Sequence, residues 1–240
     1  SKVKQENLAQ LACELKRAGE KLGTRLVLVH GAGPFGHVLA EEYDLKSKLS
    51  GPRQIKGFAR THRSMQDLNL LVLDSLLDAG INCAPIQPSC MGVLDDGRIS
   101  RFNFRVCGDL LDAGLTPVGF GDVLVDLKKG INILSGDQLA CFLAGKLGAK
   151  RCVFVTDYNG LYEGEPGKSE KLDVVGRGDL DRLSLDMTHS TDVTGGIAGK
   201  VREVMDLASA GVSCEIISAE ENNLFKALSG EKVVGTRIVG

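Results

Sequence analysis

The segment that decides the fold is Arg25–His37, which reads RLVLVHGAGPFGH. Its first six residues form a nearly continuous apolar run, which is typical of a strand that is buried on both faces. Glycines follow at 31, 33 and 36, so the backbone can turn tightly and approach a ligand, and a helix is predicted from about Gly36. A strand, a glycine turn and a helix in this order indicate an α/β domain with an anion site at the helix N-terminus.

The rest of the chain continues this alternation. Helices are predicted at residues 5–18, 58–79, 104–113, 137–147, 197–210 and 222–228, and strands at 83–87, 116–120, 151–156 and 213–218. Repeated strand–helix units predict an open αβα sandwich with a mostly parallel central sheet. Turn sequences at Asp95-Asp96-Gly97 and Lys129-Gly130 predict hairpins that add antiparallel strands. No low-complexity linker divides the 240 residues, so we expect a single domain over 1–240.

Composition disfavours several classes of protein. The formal net charge is -2 and no long basic run occurs, which argues against a nucleic-acid partner. No apolar run approaches the roughly 18 residues that a membrane-spanning helix needs. The seven cysteines are scattered without a C-x-x-C pair, and the four histidines lack the spacing of zinc ligands. We therefore expect a cytoplasmic protein with reduced cysteines, no membrane association and no metal site built from its own side chains.

The glycine turn at 30–37 has three possible interpretations. It matches G-x-G-x-x-G literally, but Pro34 and Phe35 would crowd a dinucleotide, and no clear acidic partner stands about 20 residues on. The turn is otherwise either a tight connection without a ligand or a phosphate site. In a phosphate site the imidazole of His37 would donate to a phosphate oxygen, and the anion would offset the cost of a cationic side chain at a helix N-terminus. We favour the phosphate site.

Three further motifs place polar residues at the ends of predicted strands. In Ser135–Gln138, Asp137 is either an ordinary residue of a helix N-terminus or a carboxylate that positions cationic groups around phosphates. Asp157 either forms a turn or contacts a nucleotide, since ligands of α/β sheets bind at the carboxyl ends of strands. The run DVTGGIAGK joins a glycine pair, which includes Gly196, to Lys200. Lys200 would reach a phosphate as a mobile point charge or remain a surface lysine.

These motifs together favour one kind of chemistry. Phosphoryl transfer depends on positioning and charge neutralisation far more than on covalent steps. Two glycine-rich anion sites, two aspartates and a lysine at strand ends meet that requirement. No Ser-His-Asp set in the sequence competes with them.

In this order, the four motifs resemble the amino acid kinase superfamily over nearly the whole chain. HGAGPFGH, SGDQL, TDYNGLY and DVTGGIAGK are similar to the isopentenyl phosphate kinases of that superfamily, as are IQPS at 86–89 and GFGD at 119–122. The resemblance implies ATP- and Mg²⁺-dependent phosphorylation of isopentenyl phosphate to isopentenyl diphosphate in isoprenoid biosynthesis. It also implies a homodimer in which the N-terminal half binds the acceptor and the C-terminal half binds ATP.

The resemblance further implies roles for individual residues. The acceptor phosphate would be held by Ala32, Gly36, His37 and Gly136. The residues that contact ATP would be Gly33, Asp157, Tyr162, Pro166, Gly196 and Lys200. His37, Lys200 and Asp137 would be the catalytic residues, with Asp137 orienting the catalytic lysines. The alkenyl tail needs an apolar pocket, and the helix at 58–79 is expected to form one wall of it.

Two features depart from the superfamily pattern. The family begins with a strand that carries a lysine and a Gly-Gly-Ser loop, whereas Ser1 falls after that strand, so we expect further residues upstream. Pro34 stands where Ser is usual, and it stiffens the turn and removes a backbone donor. Two alternatives stay open: a kinase for another small phosphate or phosphonate such as fosfomycin, and a non-catalytic nucleotide-binding regulatory module.

Overall fold

The structure is a computed structural model that describes residues 5–164, 168–179 and 196–240, with the backbone alone for 196–200. The chain divides into two compact units: unit 1 contains Arg25–Ala140, and unit 2 contains Gln5–Thr24 and Cys141–Gly240. Among the described residues, no helix combines the length and the apolar character needed to cross a bilayer.

Helices and strands alternate along the chain. The helices are α1 Gln5–Leu22, α2 Gly33–Glu42, α3 Pro52–Asp78, α4 Pro88–Met91, α5 Arg105–Asp112, α6 Gly136–Lys146, α7 Gly196–Ser209 and α8 Asn223–Ser229. The strands are β1 Leu28–His30, β2 Cys83–Pro85, β3 Gly92–Asp95, β4 Arg98–Phe102, β5 Thr116–Phe120, β6 Asp122–Asp126, β7 Gly130–Leu134, β8 Arg151–Thr156, β9 Leu161–Tyr162, β10 Lys171–Leu172, β11 Val174–Val175, β12 Ser213–Ser218 and β13 Gly235–Ile238.

Unit 1 contains two sheets. One has the order β1-β5-β2 and is parallel throughout, with His30 paired to Phe120 at its carboxyl edge. The other has the order β4-β3-β6-β7, in which β3 and β6 are parallel and the outer pairs are antiparallel. Both predicted hairpins are confirmed, because β3 and β4 flank Asp96-Gly97 and β6 and β7 flank Lys129.

Unit 2 is built on a four-stranded sheet with the order β11-β13-β12-β8. The pairs β12–β8 and β11–β13 are parallel, whereas β12–β13 is antiparallel. A short antiparallel pair, β9–β10, follows β8 along the chain. Helices that alternate with parallel-rich sheets confirm the predicted α/β class.

The helix α3 begins at Pro52, six residues earlier than periodicity predicted. Proline is favourable in the first turn, where its missing N–H costs nothing. The buried side chain of Gln54 then ties the helix to the preceding loop, accepting from the Ser50 N–H at 2.6 Å and donating to the Asp44 carbonyl at 3.0 Å. The start of α3 is therefore set by polar contacts that an apolar pattern does not register.

The strand β1 also differs from its prediction. It spans three residues, and each of them is only partly buried, because β1 lies at the edge of its sheet while β5 lies at the centre. The strand that is buried over nearly its whole length is β5.

The cores are aliphatic, in agreement with the low aromatic content, since Phe120 is the one aromatic side chain among the largest fully buried ones of the described residues.

The carboxylate of Asp126 holds the two hairpins of unit 1 together. This side chain is buried at the end of β6. Burial raises the pKa of Asp126, but its hydrogen-bond donors outweigh that effect and bring the pKa down to about 2. The donors are the backbone N–H groups of Asp96, Gly97, Lys128 and Lys129 and the side-chain amide of Asn132.

Asp126→Asn is expected to lower the free energy of unfolding by about 1–3 kcal/mol, because one acceptor oxygen becomes a donor that faces N–H groups. A depressed pKa means that the contribution is present above the ordinary value of 3.8 and is lost as the pH falls towards about 2. Urea denaturation at neutral pH and at pH values approaching 2 measures both effects. Asp96→Asn is the control, since Asp96 is exposed in the same hairpin at φ 52°, where Asn is well tolerated. Equal stability of the two variants would contradict the assignment.

Candidate functional site

The acceptor turn, defined as residues 30–37, connects β1 to α2. Helix α2 begins at Gly33, and its N-cap residue is Ala32, whose methyl side chain cannot accept a backbone hydrogen bond. Its first turn contains no acidic side chain, and His37 lies half-buried one residue after that turn. Gly33 has φ +47°, which a residue with a side chain rarely adopts. An uncapped helix N-terminus with an imidazole beside it is suited to an anion, although Pro34 supplies no N–H.

Helix α3 fixes the position of this turn. A Cβ on Gly36 would lie 2.6 Å from the Ala32 Cβ and 3.1 Å from the Met65 Sδ, so glycine lets α3 approach closely. The hydroxyl of Ser64 donates to the Phe35 carbonyl at 2.9 Å. The acceptor turn therefore rests directly on one face of α3.

His30 ends β1 and has a structural role. Its Nε2 lies 3.1 Å from the Asn69 Oδ1, and its ring stacks on Phe120 with centroids 5.4 Å apart. Burial lowers the pKa of His30, so the ring is neutral at physiological pH. His30 therefore anchors the turn without adding positive charge.

A second glycine-rich loop contacts the acceptor turn. A Cβ on Gly136 would lie 3.1 Å from the His30 carbonyl oxygen and 3.5 Å from the Gly31 Cα. The N–H of Gly121 donates to the same His30 oxygen at 3.1 Å, and a Cβ on Gly121 would lie 2.9 Å from the Gly136 nitrogen. The predicted acceptor residue Gly136 is thus brought against the predicted turn. Asp137 follows it in the first turn of α6.

The start of α6 is organised by Ser135 and Gln138. The Ser135 Oγ accepts from the Gln138 N–H at 3.1 Å, as an N-cap does. The Gln138 side chain donates to the Gly97 carbonyl at 3.1 Å in the neighbouring hairpin. Asp137 is therefore held between a capped turn and an anchored glutamine. The S-x-x-Q spacing of a capping box was the sequence signal for this arrangement.

A polar cluster missed by the sequence reasoning lies at the same edge of unit 1. The His62 Nδ1 lies 2.9 and 3.0 Å from the two carboxylate oxygens of Asp122, and the Gln87 Nε2 donates to Asp122 at 3.1 Å. An ionised carboxylate only accepts, so the Nδ1 carries a proton. The hydrogen bond to Asp122 raises the pKa of His62. No local spacing joins residues 62, 87 and 122, so only the resemblance of the 86–89 and 119–122 segments pointed towards the cluster.

In unit 2, the predicted nucleotide residues follow β8. Asp157 is exposed directly after Thr156, and Tyr162 is half-buried in β9. Between them Gly160 has φ +118°, and a Cβ there would lie 2.5 Å from the Thr236 Oγ1. That hydroxyl accepts from the Leu161 N–H at 2.8 Å and donates to the Leu172 carbonyl at 2.5 Å. Buried Thr236 thus fixes the loop that carries the two residues.

The remaining predicted residues have a mixed outcome. Gly196 begins α7, and Lys200 lies on the same helix with its side chain outside the described part of the structure. Pro166 also lies outside the described residues. The acceptor residues of unit 1 are brought together, and Asp157 and Tyr162 share one loop of unit 2. Their union in one active site stays a prediction.

Gly36→Ala is expected to lower the melting temperature, because the added methyl group must displace Ala32 or Met65; overpacking of this kind costs about 1–3 kcal/mol. Gly31→Ala is the matched control in the same turn, since no described atom lies within 4 Å of a Cβ at Gly31. Differential scanning calorimetry measures both. Equal melting temperatures would show that α3 does not press against the turn.

Comparison with known proteins agrees with this architecture. The chain matches the Amino acid kinase family over residues 2–218. It is 39% identical to the isopentenyl phosphate kinase of Methanothermobacter thermautotrophicus, over 99% of this chain and 92% of that protein. It is 32% identical to the isopentenyl phosphate kinase of Methanocaldococcus jannaschii, over 98% of this chain and 91% of that protein.

A solved structure described as "X-ray structures of isopentenyl phosphate kinase" superposes with a TM-score of 0.84 at 35% identity. The match covers 98% of this chain and 91% of that chain. Fold, motif order and sequence identity thus agree over nearly the full length, and this chain belongs to the amino acid kinase family.

Proposed function

We propose that this chain transfers the γ-phosphoryl group of ATP to isopentenyl phosphate, giving isopentenyl diphosphate for isoprenoid biosynthesis. The observation that carries the proposal is the contact between the acceptor turn and Gly136, because it brings together the two segments that we assign to the acceptor phosphate. Sequence identity of 39% with a kinase named for this acceptor supports the choice of substrate. The resemblance of the acceptor turn, with His37 at its end, supports a phosphate rather than a carboxylate acceptor.

Unit 1 is assigned to the acceptor and unit 2 to the nucleotide. In unit 1 the acceptor phosphate is held by Ala32, Gly36, His37 and Gly136. The N–H groups of Gly33 and Phe35 in the first turn of α2 and the imidazole of His37 neutralise its charge. The alkenyl tail lies against α3, which is packed on the turn through Met65. The residues assigned to ATP are Gly33 of unit 1 and five residues of unit 2: Asp157, Tyr162, Pro166, Gly196 and Lys200.

The reaction needs no general base, because the attacking oxygen of isopentenyl phosphate is already negatively charged. That oxygen forms a bond to the γ-phosphorus while the bond to the β,γ-bridging oxygen breaks in line, and ADP leaves with the electron pair. Lys200 stabilises the negative charge that develops on the leaving oxygen. Asp137 orients the catalytic lysines around the phosphates. Catalysis in this scheme is positioning and charge neutralisation.

Mg²⁺ is proposed to enter with ATP. The described residues contain no group of three or more His, Cys, Asp or Glu side chains placed to hold a metal ion. A magnesium ion bound mainly by phosphate oxygens and water, with one carboxylate such as Asp137 nearby, needs no such group. The ion would supply electrostatic stabilisation of the phosphates.

We also propose, by family resemblance, that the protein is a cytoplasmic homodimer.

A coupled assay of ADP release by the full-length protein tests the proposed acceptor. Isopentenyl phosphate is expected to give a kcat/KM about 100-fold or more above that of fosfomycin, because the pocket recognises both the phosphate and the alkenyl tail of its acceptor. N-acetylglutamate, which has no phosphate, is expected to give only background. ADP release with fosfomycin but not with isopentenyl phosphate would replace the proposed acceptor. Nucleotide binding without ADP release on any acceptor would indicate a regulatory module.

His37→Ala is expected to lower kcat/KM for isopentenyl phosphate by about 10- to 100-fold, mainly through KM, because a charge-assisted hydrogen bond contributes about 1.5–3 kcal/mol. The KM for ATP should stay within about twofold. Lys200→Ala should instead lower kcat, since its charge acts during transfer. Val38→Ala is the control, because Val38 is an exposed neighbour on α2. A change of less than about twofold in either variant would remove that residue from the mechanism.

A further inference from the structure

We propose that His62 and Asp122 form a positioning pair that holds the acceptor turn in the geometry that binds phosphate. The proposal rests on the proposed function, because it takes residues 30–37 as the acceptor site. His62 lies on α3, which contacts the turn, and Asp122 begins β6 directly after Gly121, whose N–H also contacts the turn. Neither residue belongs to the groups already assigned to substrate, nucleotide or catalysis.

The first half of the link runs through α3. Three neighbouring side chains of this helix hold the acceptor turn: Ser64 donates to the Phe35 carbonyl at 2.9 Å, Asn69 contacts the His30 ring at 3.1 Å, and Met65 packs where a Cβ on Gly36 would lie. These contacts lie on consecutive turns of one helix. The position of the acceptor turn therefore follows the position of α3.

The second half of the link runs through Asp122. It directly follows Gly121, whose N–H donates to the His30 carbonyl at 3.1 Å and whose Cα packs on Gly136. Its side chain has no exposed surface, and both of its oxygens contact the His62 Nδ1. The contacts thus close a ring from the turn through α3, His62, Asp122 and Gly121 back to the turn. A second path joins α3 to Asp122 through the side-chain amides of Gln66 and Gln87, so the His62 contact is the ionic link of this ring rather than its only link.

The electrostatics of the pair make the contact strong. A buried carboxylate must be paired, and Asp122 has only the Val123 N–H at 2.8 Å and the Gln87 amide at 3.1 Å besides His62 among its described hydrogen bonds. The groups that face His62 are Asp122 from β6, Gln66 from α3 itself, Gln87 from the segment after β2, and the Phe58 ring. Asp122 is the one charged group in that set of described contacts. Asp122 therefore favours the imidazolium form, whereas the Gln66 and Gln87 amide nitrogens beside the Nε2 would donate to a neutral ring, and on balance the pKa of His62 is raised.

The location of the pair agrees with a role in the acceptor site. Asp122 follows the carboxyl end of β5, Gln87 follows the carboxyl end of β2, and His30 ends β1. The parallel sheet β1-β5-β2 thus gathers the acceptor turn and the polar cluster at one edge, where α/β sheets bind ligands. The pair acts on the acceptor through the turn, so we class His62 and Asp122 as positioning residues.

The test compares His62→Gln with Arg63→Gln. Glutamine at 62 retains an N–H donor but removes the charge, whereas Arg63 is the next residue on α3 and forms an exposed i,i+4 pair with Asp67. Kinetics are measured with ATP and isopentenyl phosphate varied separately. The acceptor KM should be about tenfold or more higher in His62→Gln, because a small misplacement of the substrate is enough to cause a loss of this size. The KM for ATP should change less than about twofold, and Arg63→Gln should leave both values within that limit.

The pH profile separates positioning from general stability. A raised pKa means that the charged pair is intact below the ordinary His value of 6.5 and is lost as the pH rises through the folded pKa. The acceptor KM of the native protein should therefore rise as the pH passes upward through the folded pKa of His62. In His62→Gln this rise in the acceptor KM should be absent, whereas any pH dependence that comes from His37 should remain.

Amide hydrogen exchange provides a readout that does not depend on activity. His62→Gln should speed exchange across residues 31–37, and Arg63→Gln should not. Absence of ADP release by the native protein would refute the proposed function while leaving this comparison valid. Unchanged exchange and unchanged acceptor KM in His62→Gln would overturn the positioning proposal. Equal rises in both KM values with a lower melting temperature would also overturn it, because the pair would then be only structural.

Discussion

The candidate site depends on a close contact between two backbones that glycine favours. Gly136 lies so close to the His30 carbonyl and to Gly31 that a side chain at 136 would reach 3.1 Å from that oxygen. Gly121 completes the contact by donating to the same oxygen while packing against Gly136. Because Cβ atoms are absent, the carboxyl ends of β1 and β5 and the start of α6 converge. That convergence is what places a helix N-terminus, His37 and Asp137 in one region of unit 1.

The two helix N-termini at this contact differ in a way that suits phosphate chemistry. In helix α6 the Ser135 hydroxyl caps the Gln138 N–H, and the Gln138 side chain is anchored to Gly97, so its first turn is held in place by protein groups. Helix α2 has Ala32 at its N-cap, without a side-chain cap, so the N–H groups of Gly33 and Phe35 would be available to a ligand. The site thus contains one turn that is held rigid by the protein and one that is completed by an anion. His30 stays neutral, so the positive charge is left to groups that face the ligand.

The sequence predicted the elements whose pattern is local. The strands at 116–120, 151–156 and 213–218 were found with the bounds that the structure shows, because each is an apolar run ended by a turn. The short strands β9, β10 and β11 were missed, since two residues carry no period. The turn at 30–37 was recognised because glycines, a helix start and His37 are neighbours in the chain, and its role as an acceptor site stays a prediction. His62 and Asp122 were missed because 60 residues separate them, and their contact exists only after α3 packs on β6.

The sequence by itself therefore determined the α/β class, the family and the order of the glycine-rich motifs, since glycine turns and apolar periods act over a few residues. Tertiary structure alone decided which of those motifs touch. It placed Gly136 against Gly31, put β5 rather than β1 at the centre of its sheet, and buried Asp122 beside His62. The physical reason is that hydrogen bonds and close packing between distant segments depend on the path of the whole chain. A local sequence pattern carries no record of that path.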